Sequence, residues 1–227
     1  MLAKACADER GRDSGSVSAD SICSESRWLI AAAKATGCLL ETKDVPGTRY
    51  TIRSGESEVR LVQRDRVYYK IKNPFAKSHL KKHSPRYALF EHVIHNILFP
   101  ECTLEFLGVA EEMHEARLVY RQAAVKSGER PTDAEVADYL AKIGLHPAER
   151  YCLGNDSLFV TDVGQDSDNV LKDCDGNLRF IDPIIGFRDV LCKRFDSLTV
   201  SLSSTSADET DGLRAKALEL IKSLNKL

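Results

Sequence analysis

Between Thr161 and Pro183 the chain gathers Asp162, Asp166, Asp168, Asn169, Asp173, Asp175, Asn177 and Asp182 around two short apolar segments, Val170-Leu171 and Leu178 to Ile181. The dipeptide Asp175-Gly176 between those segments constrains the fold more than any other feature. Glycine accepts a positive φ without steric cost, so the flanks, Asn169 to Lys172 and Leu178 to Ile181, are predicted to pair as antiparallel strands. Asn169 and Asp182 then lie on adjacent chain ends at the open end of the hairpin. A hard divalent cation such as Mg²⁺ takes oxygen ligands, usually one or two carboxylates plus substrate phosphates, and an Asn amide oxygen with an Asp carboxylate meets that need. Asp162 sits at the exit of the apolar run Leu158-Phe159-Val160, where a carboxylate can accept a hydroxyl proton or orient an attacking group. Each of these residues is also an ordinary turn former, and a solvated turn is the alternative reading of any one of them. Asp173, Asp175 and Asn177 are spaced like the start of a calcium loop, but that pattern needs Gly sixth and Glu twelfth. Here Gly176 is fourth and the twelfth residue is Ile184.

Upstream, Gly55 to Val62 and Asp65 to Lys72 alternate apolar and polar positions across a tight turn and read as two paired strands. Asn73-Pro74 breaks that pattern. Pro85 to Pro100 is predicted as a helix, with Phe90, Val93, Ile94, Ile97 and Leu98 at helical spacing and Pro100 as its stop. Glu91 and His95, four apart, read as an exposed helical pair. His92 and His95 read as surface or partly buried side chains, since no Cys or His cluster with zinc spacing accompanies them. Thr103 to Val109 and Arg117 to Arg121 read as short strands, and Thr132 to Gly144 as a helix. Trp28 to Thr36 is predicted as a short helix stopped by Gly37, with Trp28 filling a core position, the usual role of a lone Trp.

In their order these segments resemble the protein-kinase-like superfamily, in which a base Asp precedes an Asn and a second metal-binding Asp follows after another strand. Asn169 and Asp182 are thirteen positions apart, similar to the kinase Asn and the Asp of Asp-Phe-Gly, although here the tripeptide is Asp182-Pro183-Ile184. No His-Arg precedes Asp162. Asp162 to Asn169 is seven steps, where the kinase motif has about five; a two-residue expansion at Gly164 to Ser167 accounts for this, with Asp166 and Asp168 as rival bases. Asn96-Ile97-Leu98-Phe99 and Gln122-Ala123 stand where a small family of minimal kinase-like domains, from bacterial and phage polyvalent proteins, has Asn-x-x-Phe and Gln-Pro. The resemblance spans roughly residues 28 to 188 and rests on the order of weak motifs.

That resemblance implies an α+β, two-lobed, reduced kinase-like fold, with a small antiparallel-sheet N-lobe over residues 26–124 and a truncated C-lobe over 125–195. It implies ATP and Mg²⁺, with Lys70 on the phosphates, Lys72 facing the same side and Glu91 as the partner of Lys70. Gln122, Ala123 and Ala124 would offer backbone groups to an adenine edge, Asn169 and Asp182 would hold the metal, and Asp162 would serve as base. A solvent-facing Lys70 fits the local pattern equally well. The phosphate-cradling Gly-x-Gly-x-x-Gly is missing, with only Gly55 beside Ser54 and Ser57. The stretch after Asp182 reads as structured only to about Phe195, which leaves no large helical lobe for a peptide substrate.

Net charge −2 and pI near 6.3 give no electrostatic footprint for nucleic acid over the chain. The local cluster Lys77, Lys81, Lys82, His83 and Arg86 reads mainly as a solvated loop, with phosphate or partner binding as its other reading. Seven scattered cysteines without a Cys-x-x-Cys pair point to free thiols in a reducing cytoplasm. No apolar run reaches the roughly 18 to 20 residues of a membrane span. Residues 1–25 read as a disordered tail, 196–212 as a linker and 213–227 as an amphipathic helix. That helix docks on the domain or pairs with a protein partner. Three functional classes stand: a nucleotide-dependent phosphotransferase, a catalytically inactive kinase-like binding module, and an interaction domain in which the acidic hairpin is only a turn.

Overall fold

Strand alternation decides how the first half of this chain buries its apolar side chains, and with them a lysine. The computed structural model describes residues 19–50, 57–75, 84–149, 152–164, 167–189 and 191–193. In chain order the elements open with α1 (Ala19–Ala35), β1 (Leu39–Glu41), β2 (Thr48–Tyr50), β3 (Ser57–Val62), β4 (Val67–Lys72) and α2 (Pro85–Leu98). Next come β5 (Glu105–Glu112), β6 (Glu115–Ala123), β7 (Ser127–Glu129) and α3 (Asp133–Lys142). The last are β8 (His146–Glu149), β9 (Cys152–Gly154), β10 (Leu158–Thr161), β11 (Val170–Asp173), β12 (Leu178–Phe180) and β13 (Ile184–Phe187). This is an α+β chain, and it divides into two units, one of residues 1–129 with 171–181 and one of 130–170 with 182–227.

In the first unit six strands run in the order β1-β5-β6-β4-β3-β2. β1 is parallel to β5, and the other neighbours are antiparallel. Leu118 and Tyr120 of β6 join Leu29 and Ala33 of α1, Leu104 and Val109 in a core against which Ala88 and Leu89 of α2 pack. Val119 lies on the opposite face with Val45, Ile71 and Ala110. Register partners share a face, so Lys70 opposite Tyr120 and Lys72 opposite Leu118 both stand on the face that carries the helices. Gly108 interrupts β5 at a register shift with φ +152, and a Cβ there would lie 2.2 Å from the Cys38 carbonyl oxygen, so only glycine fits.

Three expectations are corrected here. α1 starts at Ala19, well ahead of Trp28, and Trp28 is 70% exposed. Leu29 and Ala33, four apart, take the core-facing stripe together with buried Ser26, and Trp28 lies about 100° round the helix from Leu29. The buried face of α2 is Tyr87, Phe90, Ile94 and His95, while Val93 is exposed. The helix is opened by Ser84, whose Oγ accepts from the Tyr87 N–H at 3.4 Å, with Pro85 in the first turn.

β11 and β12 form the expected hairpin, hydrogen-bonded to each other, and β11 also pairs with β7. Their turn is closed by Asp173 N–H to the Asn177 carbonyl at 2.9 Å and Gly176 N–H to the Asp173 carbonyl at 3.1 Å, with Gly176 at φ +82. That is a three-residue loop with glycine in the left-handed position. The Asp173 carboxylate locks it. Oδ1 accepts from the Asp175 and Asn177 N–H groups, both at 2.9 Å, and Oδ2 accepts from Arg179 Nε at 2.8 Å and Nη2 at 2.7 Å.

In the second unit β13-β10-β9-β8 form an antiparallel sheet. α3 opens with a capping box: Thr132 Oγ1 accepts from the Glu135 N–H, and the Glu135 carboxylate accepts from the Thr132 N–H. Among the described residues no helix is long and apolar enough to cross a membrane. The tail through residue 18, Gly55, Lys77, Lys81, Lys82, His83, Asp166, the linker and the terminal helix lie outside the described residues.

Candidate functional site

Thr161 is the register partner of Ile184, the last residue pair between β10 and β13. Asp162 follows Thr161 and Asp182 precedes Ile184 by two, so both carboxylates leave this strand pair at the same end. Asp162 has φ +60, a conformation that costs a non-glycine residue on the order of 1 kcal/mol or more and persists only where its surroundings hold it. Asn169 supplies that hold by donating its Nδ2 to the Asp162 carbonyl at 3.1 Å and to Asp162 Oδ2 at 2.6 Å. Ser167 adds to it, donating its hydroxyl to the same carbonyl at 2.8 Å and accepting from the Asn169 N–H at 3.1 Å. Ser167 N–H in turn reaches the Gly164 carbonyl at 2.9 Å. The seven-step spacing therefore still brings Asp162 and Asn169 together. Of the rival bases, Asp168 is ion-paired with Arg130, and Asp166 lies outside the described residues.

In the first unit Lys70 is 4% exposed, which sets aside the solvent-facing alternative. Its Nζ donates to the Ile181 carbonyl at 2.8 Å, the residue immediately before Asp182 in the sequence. The preceding carbonyl, that of Phe180, meets His95 Nε2 at 3.3 Å. Phe180 also stacks on Phe99 with ring centroids 4.3 Å apart. Two consecutive carbonyls at the end of β12 are thus engaged by side chains of β4 and α2. These contacts explain why the hairpin groups with the first unit.

His95 is 3% exposed, and its Nδ1 faces Asn96 Oδ1 at 3.3 Å. The expected exposed Glu91–His95 pair is therefore not formed: the face of α2 that carries His95 is covered by β12. Burial pulls His95 down to about 4, with Asn96 opposing and the charges of Lys72 and Lys70 adding to the fall. His92, stacked on Tyr120 at 4.6 Å, is also lowered to about 4 by burial and then by Lys72. Glu91 is half-buried on α2, and both it and Lys72 act on the Tyr120 phenol, which burial raises above its ordinary range. Asn96 clamps the end of α2 to the start of β5, accepting from the Leu104 N–H and donating to the Leu104 carbonyl, both at 2.8 Å. This gives the Asn of Asn-x-x-Phe a structural task.

At the strand end where an adenine edge was expected, the three residues differ. The Gln122 side chain is buried and donates to the Cys102 carbonyl at 2.8 Å. The Ala124 N–H donates to the Arg66 carbonyl at 2.7 Å. Because ladder bonds alternate in direction, the backbone groups of Ala123 point away from β4. β5 begins at Glu105, opposite Arg121, so Ala123 lies past the end of that neighbour.

The family model for the serine/threonine/tyrosine kinase found in polyvalent proteins matches residues 23–189, well over half of the chain. The chain belongs to this family. A search of curated proteins and a search of solved structures each found no match. Membership in the polyvalent-protein kinase family sets a question for the donor set. Among the described residues no three of His, Cys, Asp and Glu gather as metal ligands would. A Mg²⁺ site in such a kinase needs less, an amide oxygen and one carboxylate beside phosphates. Asn169 fits that part, because its Nδ2 is committed to Asp162 and its Oδ1 is the atom left to serve as a ligand. Sequence reasoning gave no contact to Ser167, placed His95 in an exposed helical pair and knew Asn96 only as a motif position. The Ser-x-Asn spacing of Ser167 and Asn169 is a local signal that could have found the first, whereas His95 meets Phe180 only through a contact 85 residues away.

Proposed function

We propose that this domain transfers a phosphoryl group from ATP, within the kinase-like class to which its family belongs. The observation that supports this best is the buried Lys70 ammonium, held at 2.8 Å by the carbonyl next to Asp182. A lysine is seldom buried without a charge-related task. With its Nζ on the Ile181 carbonyl, the Lys70 ammonium would meet the phosphates beside the end of β12. Asn169 and Asp182 would hold Mg²⁺, which when bound neutralises charge on the transferring phosphates. Asp162 is exposed, and Asn169 steadies one of its carboxylate oxygens while the other can take the acceptor's proton. The backbone groups of Ala123 would meet the adenine edge. Catalysis on this reading is positioning plus charge neutralisation, with little covalent chemistry for the protein.

A thermal-shift titration tests the binding half. ATP with Mg²⁺ at about 100 times its dissociation constant should raise stability by about 2.7 kcal/mol, and a flat titration would sink the reading. Phosphoryl transfer that disappears in folded Asp182→Asn and Lys70→Met variants would support the catalytic half. The sequence Asp182-Pro183-Ile184 and the lack of His-Arg before Asp162 favour a second reading, an inactive binding module. Binding without turnover in the wild type would select it.

A further inference from the structure

His95 is buried between two hydrogen-bond acceptors. One is the Phe180 carbonyl, 3.3 Å from Nε2, and the other is Asn96 Oδ1, 3.3 Å from Nδ1. The Asn96 amide cannot flip to help, because Leu104 fixes it at both ends: its Oδ1 accepts the Leu104 N–H and its Nδ2 donates to the Leu104 carbonyl. A neutral imidazole carries one N–H, so it serves one acceptor and sets a bare nitrogen against the other; only the imidazolium donates to both. Lys70 and Lys72 on β4 oppose that charge, and burial opposes it further. Among the described groups Glu91 and His92 share α2 with the ring, and Cys102 also meets the Phe180 backbone.

From this arrangement we infer that His95 is a proton-linked positioning residue: polyanion binding at Lys70 and Lys72 draws a proton onto the ring, which then clamps the β12 end that leads into Asp182. The inference rests on the proposed phosphate role of Lys70 for its trigger, while the coupling between His95 and the lysines stands on its own. The link is reciprocal: if the anion favours the protonated ring, protonation favours the anion. A histidine with a merely structural role would take up no proton when the anion binds.

The test has two arms, both on the full chain. In the first, the His95 ring is followed by NMR as pH is lowered, with His95→Gln used to assign its signal. Removing a positive charge by Lys70→Met, or by Lys72→Met should the buried substitution fail to fold, should raise the His95 pKa by about half a unit or more. An unchanged pKa in a folded variant overturns the inference. In the second, inorganic tripolyphosphate without metal is titrated calorimetrically near pH 5.5 in buffers of different ionisation enthalpy. The wild type should take up a fraction of a proton per ligand, and His95→Gln, which keeps a donor for Phe180 but cannot titrate, should bind with that uptake lost. Uptake undiminished in His95→Gln overturns the inference. Failure of the wild type to bind tripolyphosphate overturns the phosphate trigger, and the first arm then decides the coupling alone.

Discussion

At the residue scale, a histidine buried as neutral imidazole makes stability depend on pH. His95 titrates near 4 in the folded chain, against an ordinary value of 6.5. The unfolded chain therefore binds more protons between those values, so stability is full above about pH 6.5 and is lost as pH falls towards 4. A shift of that size corresponds to about 3 kcal/mol. Thermal melts over this window should show a steep decline that becomes shallower in His95→Gln, with His92 carrying the remainder, and an equal slope in both proteins would refute the assignment. Ser167 predicts something more local. Ser167→Ala removes two hydrogen bonds, one to the Asp162 carbonyl and one from the Asn169 N–H, a loss of about 1–2 kcal/mol in local stability. Hydrogen exchange at Asn169 should quicken by about 5- to 30-fold, with little change in the global melt. The partnership of Asp162 with Asn169 was visible in the sequence only as two candidates with an awkward spacing. The bond from the Ser167 N–H to the Gly164 carbonyl, which accompanies that partnership, is something spacing does not reveal. Lys70 was picked out through a resemblance, and its burial follows from its register opposite Tyr120, a pairing 50 residues away in the chain.

At the scale of elements, the β11–β12 hairpin was the most legible part, because Asp175-Gly176 specifies its turn locally. The residue that holds the turn is Asp173, whose carboxylate takes five donors from Asp175, Asn177 and Arg179. Its pKa is lowered, first by the Asn177 N–H, so its contribution is present at neutral pH and fades once the pH falls below the ordinary carboxylate value of 3.8. Asp173→Ala should lower the melting temperature, and Asp175→Ala, at an exposed turn position, should leave it nearly unchanged; the reverse order would refute this account. β8 went unread because His146-Pro147-Ala148-Glu149 shows no alternation and contains proline. Its place at the sheet edge is where a missing N–H is tolerated. Trp28 misled because size alone suggests a core residue, whereas the phase of α1 is set by the smaller Leu29 and Ala33.

At the scale of the whole molecule, the first unit is discontinuous in sequence: residues 171–181 complete it after 130–170 have entered the other. Phe180 is 1% exposed against Phe99, and deleting a buried phenylalanine typically costs about 3–5 kcal/mol out of a total near 5–15. A fragment ending at Glu129 should therefore lack a cooperative thermal transition. Adding a peptide of residues 168–183 should restore dispersed amide resonances. A sharp, reversible melt in the fragment alone would contradict the assignment of the hairpin to this unit. The same discontinuity bears on how the protein is born. Translation at about 5–20 residues per second leaves an interval of roughly 3–10 s between Glu129 and Ile181. Throughout it the nascent chain holds Lys70, His95 and Phe99 without their late-arriving cover, so a vectorially synthesised domain of this kind depends on whatever shields that surface until the hairpin emerges.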